Sequence, residues 1–311
     1  MGWKILEIEK PCLLKTFYNN LVIINEKRLT ISMNDIDVLL INENKINVSI
    51  NCINELVSNG VCIILCNEKK LPNSYILGYK VQKQSYVNFL KQLKWDESYK
   101  EKCWNWIMNI KIQNQLNLLE TFFTDVTEWK KELKNRSKNQ KFDSQYEAWV
   151  ASFFFKSLYG SSFKRKNENT VNACLDYGYT ILTNMVARSI VKKGLHCNIS
   201  FFHGSIYSNF PLAYDIVEIF RISIDLFVKK LFEDNLIKVN ENNFNQDIKY
   251  CLTEYIANFK ILIDGKYEFI NNAIDKVIDW IINQDFKDHQ IEYNYILNSI
   301  NQNETSIELN Q

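Results

Sequence analysis

Through the first eighty or so residues, apolar positions come in short runs rich in Ile, Val and Leu: "WKILEIEK", "CLLKTFYNN", "LVIINEKRLTISM" and "DIDVLLI". Polar turn signals such as Asn19-Asn20 and Asn34-Asp35 separate them, and "KINVSI" alternates apolar with polar. Short β-branched runs bounded by such clusters predict strands. "NCINELVSNG" interrupts them with helical spacing, with Asn51 as a candidate cap and Gly60 just past its end. "VCIILC" returns to strand. The expected assembly is a small β-sandwich over residues 1–80.

The period changes near Tyr79. Apolar residues then recur at helical spacing, first Tyr86, Phe89, Leu90 and Leu93, then Trp104, Ile107, Met108, Ile112, Leu116 and Leu119. The same pattern continues to about Asp285, so residues 81–285 are expected to form a larger all-α domain. Residues 286–311, ending in "NQNETSIELNQ", read as a polar, frayed tail. The fold class is thus α+β, a β-sandwich followed by helices, with no repeat and no long linker between them.

Composition narrows the function classes. At 311 residues and 46% hydrophobic, the chain can bury a sizeable core. A net charge of +1 excludes a globally basic nucleic-acid binder, so any such role must use local patches. Eight glycines and three prolines leave few chain breakers and favour long helices. None of the eight cysteines forms a C-x-x-C pair, which predicts buried, reduced thiols. The opening "MGWKILEIEK" has no basic stretch followed by an apolar run, and no apolar run approaches the ~20 residues that span a bilayer. A soluble, cytoplasmic protein is expected.

Candidate chemistry lies in two segments. In "DSQYEAWVASFFFKSLYG" (143–160), Glu147 enters the first turn of a helix that is apolar on nearly all sides. Ser144 and Glu147 fit a capping box, but a carboxylate at the mouth of a buried helix can also hold a metal. In "HGSIYSNFPLAYDIVEIFR" (203–221), His203 precedes a helix on which Asp215 and Glu218 share a face, with Asp225 seven residues further on. A solvated acidic stripe with Arg221 paired to Glu218 would account for these residues. So would a ligand set, because acids on so apolar a helix need partners or a cation. One imidazole with two or three carboxylates suits Mg²⁺ or Mn²⁺ better than Zn²⁺. Two basic stretches flank the Glu147 helix: Lys130, Lys131, Lys134, Arg136, Lys138 and Lys141 before it, and Lys164, Arg165 and Lys166 after it. Either could be a solvated loop or a phosphate-binding patch.

These residues, in this order, resemble the CRISPR-associated integrase, the catalytic subunit that installs spacers. The likeness is carried by "EAWVASFFFKSLYG", "NACLDYGYTILTNMVAR" and "HGSIYSNFPLAYDIVEIFR", and covers essentially the whole chain. The "IDVLLI" and "LPNSYILGY" segments are similar to the form found beside type II effector nucleases. The resemblance implies Glu147, His203 and Glu218 as catalytic and metal-ligating residues, with Mg²⁺ or Mn²⁺ as cofactor. Asp215 and Asp225 are candidates to support those ligands, and Lys138, Lys141, Lys164, Arg165, Lys166 and Arg221 to bind DNA. The implied reaction is transesterification, in which the 3′-hydroxyls of a short double-stranded prespacer attack the ends of a CRISPR repeat, with endonuclease activity when water replaces the hydroxyl. Implied partners are a second copy through the β domain, a small second adaptation protein completing a heterohexamer, and a type II effector nuclease with an accessory adaptation protein. A non-catalytic DNA-holding scaffold and a general repair nuclease are the competing expectations.

Overall fold

The computed structural model describes residues 4–66, 72–78, 83–122, 126, 127, 129–131, 133, 142–204, 210–286 and 289–293. Eight strands lie in its first part: β1 (Lys4–Ile8), β2 (Cys12–Phe17), β3 (Asn20–Ile24), β4 (Arg28–Ser32), β5 (Ile36–Ile41), β6 (Ile46–Val48), β7 (Cys62–Cys66) and β8 (Pro72–Ile76). They form two four-stranded sheets, ordered β1–β5–β7–β8 and β4–β3–β2–β6. β1, β5 and β7 run parallel, and β2, β3 and β4 form an antiparallel meander.

The reason for the apolar run over residues 38–41 of β5 is that both of its faces are covered. Leu39 and Ile63 point into a cluster with Leu14, Leu21 and Ile23 of the other sheet, beneath α1 (Ile50–Ser58). Val38, Leu40, Cys62 and Ile64 point the other way, into the helices. The molecule therefore has three layers at this point: sheet, sheet, helix. Ser49, not Asn51, caps α1, its hydroxyl accepting from the Cys52 N–H, and Gly60 follows at φ 86°.

The helical part comprises α2 (Lys83–Gln92), α3 (Glu97–Phe122), α4 (Ser144–Tyr159), α5 (Thr170–Lys192), α6 (Pro211–Val217), α7 (Arg221–Glu233), α8 (Gln246–Asn258) and α9 (Ile270–Asn283). α5 is the hub, buried along nearly its whole length and packed on α6, α7, α8, α9 and the inner sheet. Where α5 crosses α7, Gly178 lets the backbones meet: a Cβ there would stand 2.6 Å from Ile224 Cγ2.

Three expectations change. The region is not purely helical, because β9 (Lys260–Ile263), β10 (Lys266–Phe269) and β11 (Ile291–Glu292) form a small antiparallel sheet. The Asp264-Gly265 turn between β9 and β10 takes φ 48° and 74°, the left-handed pair that a tight hairpin requires. α2 is the second change, since it buries Asn88 and Gln92 and exposes Tyr86, Val87 and Leu90, with Leu93 exposed just past its end. Its polar side chains donate to the backbone carbonyls of Lys193, His196 and Ile199, so hydrogen bonding, not apolar area, docks this helix. Third, beyond Asp285 the described residues are not tail-like: Phe286 and Tyr293 are buried, and the Tyr293 hydroxyl donates to Ile219 O. The expected boundary at residues 80–81 and everything after residue 293 lie outside the described residues.

All eight cysteines are free. Burial holds the thiols of Cys62, Cys103, Cys174 and Cys197 up at about 12, so they remain protonated core residues. Among the described residues no helix is long and apolar enough to cross a membrane.

Candidate active site

Asp143 caps α4, accepting the Tyr146 N–H at 2.8 Å. With the cap one residue earlier than Ser144, Glu147 lies past the position that reaches back to the cap, and the expected capping box does not form. Its carboxylate turns to a neighbouring helix instead. Glu147 Oε1 lies 3.0 Å from Nζ of Lys111, a buried residue of α3, and that same Nζ lies 2.7 Å from Glu218 Oε2.

Glu218 does not sit within one continuous helix. The chain breaks between α6 and α7, where Phe220 N donates to Val217 O at 2.8 Å and Ser223 N to Phe220 O at 3.1 Å. This tightened link, made without glycine or proline, turns the Glu218 side chain inward. Its Oε1 takes a 2.7 Å ion pair from Arg221. Burial alone would raise the Glu218 pKa, but the charges of Arg221 and Lys111 outweigh it and hold the carboxylate below its usual range. Lys111 is the mirror case: burial opposes its charge, and Glu218 and Glu147 more than restore it.

The three acids expected on one face have three different fates, and none is solvated. Asp215 is wholly buried, accepting the N–H groups of Phe201 (2.6 Å), Phe202 (3.1 Å) and His203 (3.0 Å) as well as His203 Nδ1 (2.7 Å). A carboxylate in that position makes Nδ1 the donor and leaves Nε2 as the free ring nitrogen. The His203 ring also meets Trp104 edge-on at 5.5 Å. Burial disfavours its charged form, but Asp215, with Glu147 and Glu218 behind it, raises the pKa overall. Asp225 accepts the Tyr179 hydroxyl instead, and burial pushes its pKa up to about 7.

Glu147, Glu218, Lys111 and Arg221 line a cavity of about 870 Å³ that also takes in Tyr75 of β8 and Asp225. Arg165 reaches this cavity too, pairing with Asn172 Oδ1 and Asp176 Oδ1, both at 2.6 Å. Lys164 and Lys166 point to solvent. Lys130 pairs with Glu120, Lys131 is exposed, and Lys134, Arg136, Lys138 and Lys141 lie outside the described residues.

The donor chemistry fits a hard divalent cation: two carboxylates already share one positive charge, beside an imidazole fixed through its other nitrogen. Glu218 Oε2 is moreover buried without a well-aligned hydrogen-bond donor, because Lys111 Nζ is near it but off-direction. Among the described residues, however, no three His, Cys, Asp or Glu side chains converge as a ready metal cage. Sequence reasoning missed Lys111 and Tyr179. Lys111 was visible as a charge at i+4 from Ile107, on the face of α3 that is otherwise core.

A strand-rich part followed by a helical part is a fold that solved structures share. One is a casposase bound to integration product, with TM-score 0.72 and 16% identity, covering 96% of this chain and 98% of that one. Another is a Cas6-RT-Cas1–Cas2 complex, with TM-score 0.68 and 14% identity, covering 94% of this chain and 36% of that one. In sequence, residues 8–262 match the family of CRISPR associated protein Cas1, and the chain belongs to that family. It is 28% identical over 280 residues to the CRISPR-associated endonuclease Cas1 of Neisseria meningitidis serogroup C, covering 89% of this chain and 90% of the relative.

Proposed function

We propose that the protein is the integrase of CRISPR adaptation, joining the 3′-hydroxyl ends of a short duplex to the ends of a CRISPR repeat, with DNA endonuclease activity at the same site. The observation that carries this reading is the meeting of Glu147 and Glu218 on one positive charge at the wall of a cavity. They come from separate elements, Glu147 from the first turn of α4 and Glu218 from the link between α6 and α7.

Glu147, His203 and Glu218 would hold Mg²⁺ or Mn²⁺, which when bound polarises the phosphoryl oxygen and lowers the pKa of the attacking hydroxyl. The chain's own residues do the rest by positioning and electrostatics. Asp215 fixes the His203 ring. Arg221, half-exposed beside Glu218, and Arg165 supply positive charge where a DNA backbone would enter the cavity. No side-chain nucleophile is needed.

For partners, the reading takes double-stranded DNA, a second copy of the chain and a Cas2-type protein forming a heterohexamer. The type II effector nuclease and an accessory protein follow from the resemblance alone. The strand-rich part exposes Phe17, Tyr18, Leu29 and Ile50, which suits a dimer surface there.

One observation favours the scaffold reading: Lys111 stands between the two glutamates. A strand-transfer assay separates the two. Purified protein, with and without its Cas2-type partner, meets a short duplex with free 3′ ends and a plasmid carrying leader and repeat, in Mg²⁺, Mn²⁺ or EDTA. Cation-dependent joining that is lost in Glu147→Ala, His203→Ala and Glu218→Ala, with DNA binding retained, is the expected result. Tight binding without joining in any cation would establish the scaffold.

A further inference from the structure

Glu147 and Glu218 face each other across a side chain that neither of their sequence segments contains. Lys111 is 7% exposed, with Nζ 3.0 Å from one carboxylate and 2.7 Å from the other. Without that charge, two carboxylates this close would repel, and Arg221 reaches only the Glu218 Oε1 side. Lys111 is therefore what keeps the two glutamates together in this arrangement.

The contact has the character of one that can be given up. The Lys111 stem lies on the face of α3 that carries Trp104, Ile107 and Met108 into the core. Its head lines the cavity, and the oxygen it approaches at 2.7 Å still lacks an aligned donor. A rotation at the end of a long, flexible side chain moves the ammonium from the carboxylates into the cavity while the stem stays packed. A divalent ion between the glutamates would force such a move. Its two charges, with one each from Lys111 and Arg221, would place four positive charges on two carboxylates.

We propose that Lys111 is an internal stand-in cation. It holds Glu147 and Glu218 together while no metal is bound, yields its place when a divalent ion binds, and then presents its ammonium to a DNA phosphate in the cavity. This rests on the metal-site reading above and adds a rule to it: the ion and the Lys111 head exclude each other.

Full-length Lys111→Met, which keeps the stem and removes the charge, tests the exclusion. Mn²⁺ binding is followed by the paramagnetic resonance of the free ion, and melting is followed in EDTA. The metal-free variant should melt below the wild type, yet bind Mn²⁺ on the order of tenfold more tightly, because the ion no longer displaces a competitor. Unchanged or weaker Mn²⁺ affinity in the folded variant overturns the proposal. A second measurement needs no variant: acetylation of Lys111 in the wild type by an amine-reactive ester, read by mass spectrometry. The residue should be protected in EDTA and modified in Mn²⁺, and equal modification in both overturns the proposal. Glu147→Gln and Glu218→Gln keep the two readings apart. Mn²⁺ binding indifferent to both substitutions defeats the metal site itself. Binding that needs both, with Lys111 affinity and reactivity unmoved, defeats only the stand-in role.

Discussion

Asp215 illustrates how much one buried side chain can organise. Its two oxygens accept three successive backbone N–H groups and the His203 ring, so it shapes the loop and aims the imidazole together. Asp215→Asn keeps the shape but replaces part of the acceptor capacity with an NH₂ donor. Supporting partners of metal-bound histidines typically contribute ~10–100-fold to metal affinity or activity, so on the proposed metal site a loss of that size is expected in strand transfer. A merely structural role would lower the melting temperature and leave the Mn²⁺ affinity of the folded protein unchanged, so both should be measured. Asp225 gives a pH signature. Its folded pKa of about 7 lies above the ~3.9 of an unfolded aspartate. The folded state therefore holds the extra proton, and the associated stability is complete below pH ~4 and lost as pH rises through about 7. Asp225→Asn, which can still accept the Tyr179 hydroxyl, should gain on the wild type in melting temperature between pH 5 and pH 8. A difference that stays flat over that range would show that Asp225 does not titrate there.

At the level of elements, the α5–α7 crossing and the α6–α7 break place the site. Gly178→Ala would put a methyl 2.6 Å from Ile224 Cγ2, and overpacking of this kind costs ~1–3 kcal/mol. Ile224→Ala should recover much of that loss in the double variant, and purely additive losses would mean the two positions do not touch. Elements also show what a sequence can and cannot reveal. The β5 strand was legible because four apolar residues follow Asp37 without a break, and α4 because its apolar residues run nearly all round it from Ala148 to Tyr159. The Glu147, His203 and Glu218 segments were legible through family likeness. Their single-residue alternatives could not be settled from the pattern, because Asp143 and Ser144 are adjacent and equally able to cap. The break after Val217 carries no glycine or proline and is made by short-range hydrogen bonds that leave no compositional mark. α2 inverted its expected face because Asn88 and Gln92 bury themselves through partners about a hundred residues away. The β9–β10 hairpin did leave a mark, Asp264-Gly265 between the apolar run KILI and the alternating KYEF, inside a stretch whose helical period drew attention away from it.

Across the whole molecule, the strand-rich and helical parts are held by polar and apolar contacts alike. Asp37 on β5 takes Arg188 Nη1 of α5 at 2.7 Å and the Asn271 amide of α9, and Arg188 also reaches Gly60 O. Burial raises the Asp37 pKa despite Arg188, so loss of the arginine would leave a buried carboxylate without its counter-charge. Breaking a buried pair in this way costs ~3–5 kcal/mol, and Arg188→Ala should lose about that much in denaturant unfolding. With Val38, Leu40, Cys62 and Ile64 sharing one core with the helices, wild-type and variant alike should unfold in a single calorimetric transition. Two resolved transitions would show that the parts fold independently.

The double-sided sheet also has a consequence in time. On the ribosome, β5 and β7 emerge well before the helix that covers them, since about a hundred residues separate the end of β7 at Cys66 from the start of α5 at Thr170. At ~5–20 residues per second, the inner face of the sheet stays bare for on the order of ten seconds. During that interval the nascent chain leaves Val38, Leu40 and Ile64 uncovered, and a chaperone that recognises short apolar stretches would meet them first. Slower growth at low temperature, or extra chaperone during expression, should raise the yield of folded protein, while a chain stopped near residue 80 would keep that face bare and aggregate.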